Sequence, residues 1–292
     1  MIIGIDIGGT TTNIIGYDGR KILHPTTVKA DDPVASASGA LGKFLSDTRQ
    51  HLSDIECIAL TGVGSGSIGD ALFNIPVCHV GEFEATGRGG TFLSGISKAI
   101  VVSMGTGTAL IEVDGERIEH WGGTGVGGGT LVGLSKYMLG ITDVGLLCQK
   151  AGKGRLKRVD LTVGDIASSR MTGLSEFLTA SNFGKNEDDS TEADRALGIF
   201  NLVYQTIAVA ANGAAKATRN TMVILTGRLA TLPQAKPVFD GLSDFFGLTF
   251  HTPKFAQYAT AVGASLSADL YRRRTAGGNL EVDNPRLINK LG

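Results

Sequence analysis

The sequence predicts an α/β fold with mixed sheets, built twice on one plan. Short β-branched runs end in glycine clusters, as in "IIGIDI", "IECIALT", "AIVVSM" and "MVILT", which are too short and too β-rich for helices. Longer segments between them carry apolar residues at three- and four-residue spacing, the mark of amphipathic helices. Finally, "IIGIDIGGTTTNIIGYDGRKI" and "AIVVSMGTGTALIEVDGERI", about a hundred residues apart, both read strand, glycine-threonine turn, strand, Asp-Gly turn, strand.

Taken in order, the first strand ends at Asp6 and the Gly8-Gly9 turn. The Asp18-Gly19 pair then closes a hairpin. "PVASASGALGKFLSDTRQHL" reads as a helix, "IECIALT" as the next buried strand, and glycines gather at Gly62 to Gly69 and at Gly87 to Gly90. The second copy follows, with its threonine turn at Gly105 to Thr108 and its hairpin at Asp114-Gly115. Gly122 to Gly129 then open the helical "LVGLSKYML", which suggests free N–H groups and an anion site at a helix N-terminus. "GKNEDDSTEADR" reads as a solvated acidic loop with a helix N-cap rather than a metal site. After it comes a helix over 193–220 with apolar residues on several faces, suited to a lobe interior or a partner. "MVILT" and Gly227 follow, then a closing helix, Ala259 to Arg272, expected to return to the first lobe. The expected organisation is a first lobe of 1–80 with 259–272, a second lobe of 81–258, and an extended or mobile tail over 273–292.

Composition narrows the partners. The 292 residues are 42% hydrophobic, enough for a substantial core, and 27 basic against 28 acidic residues leave no strong field for nucleic acid or an anionic membrane. Small molecules are the expected partners. Cys57, Cys78 and Cys148 are odd in number and far apart, which argues against a disulfide framework or a metal motif and fits a reducing cytoplasm. No charged leader opens the sequence, and no uninterrupted apolar run reaches membrane-spanning length, so neither export nor a membrane is expected. The paired turns suit phosphate: glycines let backbone N–H groups approach an anion, and threonine hydroxyls add neutral donors.

"GIDIGGT", "LTG" at Leu60 to Gly62, "GEFEATGRGG", "SMGTGTAL", "GGTGVGGGTLVGL" and "TASNFG", in that order, resemble the type II pantothenate kinases, over nearly the whole length. That family has the actin, hexokinase and Hsp70 type of fold: duplicated ribonuclease H-like lobes with an ATP cleft between them. The resemblance implies ATP-dependent phosphorylation of pantothenate, the first step of coenzyme A biosynthesis, by a Mg2+-dependent homodimer. It places Asp6 near the metal and phosphates, and Gly8, Gly9, Thr10, Thr11 and Thr12 in the first phosphate loop. Gly125, Gly127, Gly128, Gly129 and Thr130 continue the nucleotide wall, with Gly227 also at the nucleotide. Glu82 matches the catalytic base, with Glu84 as the weaker candidate. Thr106, Gly107, Thr108 and His120 lie where the family holds the acceptor.

Two positions depart from the family pattern. Asn13 stands where a phosphate-contacting lysine is usual, and His120, followed by Trp121, where an arginine is usual. A histidine supplies charge only when protonated, partially so at pH 7 given an ordinary pKa of about 6.5. Arg88, Arg117 and Lys98 are the expected replacements for the missing charge. A kinase of this fold acting on another hydroxyl compound, and an ATP-binding regulator without turnover, therefore stay open beside the pantothenate reading. Repressor-type sugar kinases normally add a cysteine-rich zinc motif, and dehydratase-activating ATPases need cluster-ligating cysteines; both fit these three cysteines poorly.

Overall fold

The computed structural model describes residues 1–29, 32–166 and 178–276. The first half runs β1 (Ile2–Ile7), β2 (Thr11–Tyr17), β3 (Ile22–Lys29), α1 (Pro33–Thr48), β4 (Cys57–Thr61), β5 (Ala71–Leu72) and β6 (Ile75–His79). Helix α2 (Glu82–Ser94) leads to β7 (Lys98–Met104), β8 (Thr108–Asp114), β9 (Arg117–Thr124), α3 (Gly128–Leu139) and α4 (Val144–Ala151). A small insertion holds β10 (Leu161–Thr162), α5 (Val163–Ile166) and β11 (Thr179–Ser181). The chain continues through α6 (Glu192–Thr218), β12 (Met222–Thr226), α7 (Ala235–Phe246), β13 (Thr249–His251) and α8 (Ala259–Ala276).

Duplication is visible in the strand order. One sheet is β3-β2-β1-β4-β6-β5 and the other β9-β8-β7-β12-β13, each an antiparallel three-strand meander joined to parallel strands. The two Asp-Gly turns close the β2–β3 and β8–β9 hairpins as expected.

Alternation within β1 divides the first sheet's faces. Ile3, Ile5 and Ile7 pack with Ala37, Leu41 and Phe44 of α1, while Ile2 on the other face meets Ala264 and Ala268 of α8. α1 begins cleanly because Asp32 accepts from the Ala35 N–H at 2.7 Å and Pro33 follows it. In the second sheet, Ile100 and Val102 face α6, and Ala99 and Val101 face the opposite side. α6 is capped by Thr191 and Asp194, which answers the acidic-loop reading. Among the described residues it is the one helix long and apolar enough to cross a membrane, yet Ile199, Phe200, Val203 and Ile207 are fully buried in the core. It is the central helix of a lobe.

The halves meet through α2 and α8. A methyl at Gly89 would lie 1.8 Å from the Ala259 carbonyl oxygen, and one at Gly263 1.7 Å from that of Ala85, so two missing side chains let the helix backbones touch. Gly87 and Gly90 similarly admit Ile118 and Val101 of the second sheet. The Gly87 to Gly90 cluster is thus a packing surface inside a helix, unlike the turn glycines with which it was grouped. α8 also runs four residues past Arg272, so the expected tail is helical over 273–276. Its remainder, 277–292, lies outside the described residues.

Candidate active site

Asp6 lies near the C-terminal end of β1, and its neighbours across the sheet are polar. The register aligns Thr27 of β3, Asn13 of β2, Asp6 of β1 and Thr61 of β4 in one row. Asn13 is 8% exposed, and its amide Nδ2 donates to the Asp6 carboxylate at 3.5 Å and to the Gln257 carbonyl at 3.4 Å. The Thr27 hydroxyl donates to Asn13 Oδ1 at 2.8 Å and accepts from Gln257 Nε2 at 2.8 Å. Thr61 is buried and its hydroxyl has no partner among the described residues.

Gly62 closes this corner from behind. Its φ is +87° and an added methyl would lie 2.6 Å from Asp6 Oδ1, so only glycine leaves the carboxylate its place. Gly227 holds the matching corner of the second copy, with φ +86° and no room against Met104. The repeated "LTG", at Leu60 to Gly62 and Leu225 to Gly227, is the signal by which sequence alone identifies Gly62 as a site residue.

The two threonine bends face each other: a methyl on Gly9 would approach Thr106 Oγ1 to 3.5 Å. Gly9, Thr10, Gly105 and Thr106 are exposed there, with Gly8 and Thr11 partly so. Thr12 departs from expectation. It pairs with Ile7, is fully buried, and its unpartnered hydroxyl is closed to a phosphate in solvent.

The glycine-rich run packs behind the second bend. Gly128 and Gly129 donate their N–H groups to the carbonyls of Gly105 at 2.8 Å and Thr106 at 2.9 Å, and Gly127 donates to Thr130 Oγ1. The expected free N–H row at the start of α3 is therefore engaged within the protein. Thr108, expected at the acceptor, is buried, and its hydroxyl donates to the Val126 carbonyl at 2.8 Å. It anchors the glycine run instead of meeting a ligand. Gly107 sits between these layers, where a methyl would meet the Thr124 carbonyl at 3.1 Å. Thr130 is likewise occupied, donating to the Gly125 carbonyl. Gly125 and Gly129 stay exposed on the wall so formed, and Gly127 is buried.

Glu82 is the first residue of α2, is exposed, and has no hydrogen-bond or ion-pair partner among the described residues. Loss of solvent raises its carboxyl above the ordinary glutamate range. Asp6 is pushed up to about 7, first by burial, then by the charge of Glu82, with the Asn13 hydrogen bond opposing. The charge of Glu82 therefore reaches Asp6. Glu84 has a structural role, accepting from Ser267 Oγ at 2.8 Å and Tyr271 OH at 2.6 Å, which fastens α2 to α8.

His120 stacks on Phe83, with ring centroids 3.9 Å apart and planes 2° from parallel. Phe83 follows Glu82 in α2, so the stack fastens β9 to the first turn of that helix. A bulge between Leu110 and Ile111 pairs Ile111 with His120 but Leu110 with Gly122, leaving Trp121 as the extra residue. The expected replacement cations are engaged elsewhere. Arg88 pairs with Glu84 and Glu116, Arg117 with Glu112 and Glu119, and Lys98 with Asp114.

"TASNFG" encloses another carboxylate. The fully buried Asp160 accepts from the Phe183 N–H, Asn182 Nδ2 and Asn201 Nδ2, so this motif organises the insertion against α6.

Comparison with known proteins places the chain in a family. The Fumble family model matches residues 94–236. A type II pantothenate kinase of Bacillus cereus is 30% identical over 285 residues, covering 91% of this chain and 98% of the relative. The chain belongs to the type II pantothenate kinase family. A second such kinase, from Oceanobacillus iheyensis, is 27% identical over 91% of this chain and 99% of its own. Among solved structures, the activator of 2-hydroxyisocaproyl-CoA dehydratase from Clostridium difficile, with bound ADPNP, superposes at TM-score 0.66 with 17% identity, covering 97% of this chain and 99% of that one. A ROK family glucokinase from Streptomyces griseus, in complex with glucose and AMPPNP, gives 0.60 at 13% identity over 93% and 99%. These likenesses establish the actin-like ATPase fold. Of the two positions read in the sequence as departures from the family pattern, Asn13 contacts Asp6 and Gln257, and His120 stacks on Phe83.

Proposed function

We propose that this chain transfers the γ-phosphoryl group of ATP to the primary hydroxyl of pantothenate, giving ADP and 4'-phosphopantothenate. The observation that carries the reading is Glu82: a carboxylate at the start of α2, free of protein partners among the described residues and near enough to Asp6 for its charge to raise that carboxyl, while Asp6 leads into the facing glycine-threonine bends. A base for an alcohol needs that accessibility.

Glu82 accepts the hydroxyl proton as the substrate oxygen bonds to the γ-phosphorus. The bond from that phosphorus to the β–γ bridging oxygen breaks, and ADP leaves with the bond's electron pair. Gly8, Gly9, Thr10 and Thr11 line one side of the triphosphate and Gly105 and Thr106 the other, holding the donor in line with the acceptor. Gly125, Gly129 and Gly227 belong to the nucleotide wall. Phe83 and His120 form the flat wall of the acceptor site beside the base.

The donors present suit magnesium. Asp6 offers carboxylate oxygens at the end of β1, where the first glycine-threonine bend begins, and no group of three or more His, Cys, Asp or Glu residues forms a cage among the described residues. Magnesium is usually held by one or two carboxylates, waters and substrate phosphates. Asp6 would hold it, and its charge would offset that of the phosphates.

The lobes divide, in this reading, at 80/81 and 258/259, with α8 completing the first. The working form is a homodimer in the cytoplasm. Val209 of α6 is 58% exposed beside Ile166 and Phe245, an apolar face available to a second copy, and the three cysteines are unpaired. Purified chain, ATP, magnesium and pantothenate should give stoichiometric ADP and phosphopantothenate by coupled assay and mass spectrometry. ADP formation that ignores pantothenate, or that responds only to another alcohol, would refute the acceptor assignment.

A further inference from the structure

The row Thr27–Asn13–Asp6–Thr61 crosses four strands, and one end is closed by a residue from far along the chain. Gln257 lies in the turn just before α8, and both its side chain and its carbonyl engage the row. The next residue back, Ala256, accepts from the Gly227 N–H at 2.9 Å. One short segment thus touches the Gly227 corner of the second sheet and the Asp6 corner of the first.

The order of donors gives the row a direction. Gln257 Nε2 donates to Thr27, the Thr27 hydroxyl donates to Asn13 Oδ1, and Asn13 is left to turn its N–H face toward Asp6. An asparagine amide has nearly the same shape either way round, so its neighbours decide which atom faces the carboxylate. Turned over, Asn13 would present an oxygen to the Asp6 oxygens. A lysine at this place would instead neutralise Asp6 by pairing with it.

We propose that Asn13 is a positioning residue for Asp6, held in its donating orientation by Thr27 and Gln257, and that this relay orients the carboxylate for the divalent cation of a metal–nucleoside triphosphate. The inference rests on the functional reading given above as to Asp6. It assigns to Thr27 and Gln257, which the sequence motifs do not single out, a part in nucleotide binding.

The test is binding of a fluorescent, non-hydrolysable ATP analogue to the full chain, with excess magnesium and separately in EDTA. Thr27→Val keeps the shape of the side chain and removes the hydroxyl; Gln257→Leu removes the outer donor. Each should weaken the magnesium–nucleotide complex about five- to tenfold, the range expected when a hydrogen bond to a charged group is misdirected, with little change in EDTA. Thr27→Ser should restore wild-type affinity. The double variant should bind no more weakly than the weaker single variant, because the two residues act through one amide.

Equal magnesium-dependent affinity in wild type and Thr27→Val would overturn the relay. So would an equal loss with and without magnesium, or a fall in thermal stability with affinity unchanged, since either would make the row structural only. A wild-type chain that binds the analogue but phosphorylates no pantothenate overturns the acceptor assignment alone, because the relay is read by binding.

Discussion

Replacing Asp6 by asparagine should abolish turnover and yet stabilise the ligand-free fold, by an amount that grows with pH. Unfolded, Asp6 releases its proton near 3.8; folded, near about 7. Between those values the folded chain holds a proton that the unfolded chain has lost, so the stability of the wild type falls as pH rises through this window, and the penalty is complete above the folded value. A gap of about 3 units at about 1.4 kcal/mol each sets an upper bound of about 4 kcal/mol, and about half of that remains once solvent at the edge of the cleft is allowed for. The substituted amide carries no charge at any pH and keeps the side-chain volume. Thermal unfolding in EDTA without nucleotide should therefore show Asp6→Asn melting roughly 4 °C above wild type at pH 8, using about 2 °C per kcal/mol for a chain of this size. Near pH 4.5 the two should nearly coincide. A gap that does not change with pH, or a variant less stable than wild type at pH 8, would refute the assignment of strain to this carboxylate.

Other substitutions separate packing from chemistry. Gly89→Ala should lower the urea midpoint by the equivalent of about 2 kcal/mol or more, because its methyl would run into backbone, the Ala259 carbonyl and the Gly263 nitrogen, with no flexible side chain to give way. Glu84→Gln should cost about 1 kcal/mol of stability by weakening the tie to Ser267 and Tyr271, with kcat within a few-fold of wild type. His120→Arg places a permanent cation that can still stack on Phe83. It should lower KM for pantothenate roughly tenfold at pH 8, with KM for ATP nearly unchanged in the same steady-state assay.

Periodicity and turn chemistry made much of the fold legible. The meanders, both Asp-Gly hairpins and the long core helix follow from runs such as "IIGIDI" and caps such as Thr191. The Gly87 to Gly90 cluster was opaque because a glycine that makes room for a neighbouring backbone looks the same in sequence as one that turns the chain. Here the neighbour, Ala259, is 170 positions further on. At the site, the place of Asp6 near the end of β1 and the facing of the two bends were readable from their motifs. The true condition of Thr12 and Thr108 was not, since whether a hydroxyl points into a cleft or into a core depends on strand register. Nor was the partnership of Asn13 with Gln257, which joins positions 244 residues apart. The free N–H groups expected at Gly128 and Gly129 were lost to a loop, Gly105 to Thr106, that only the tertiary fold brings within reach.

The central claim is that Glu82 takes the proton from the acceptor hydroxyl, and Glu82→Gln tests it most directly, since the amide keeps the shape and cannot accept that proton. Single-turnover formation of phosphopantothenate should fall about 10²- to 10⁴-fold, while the magnesium–ATP analogue binds as it does to wild type. Turnover within a few-fold of wild type, with nucleotide binding intact, would contradict the account.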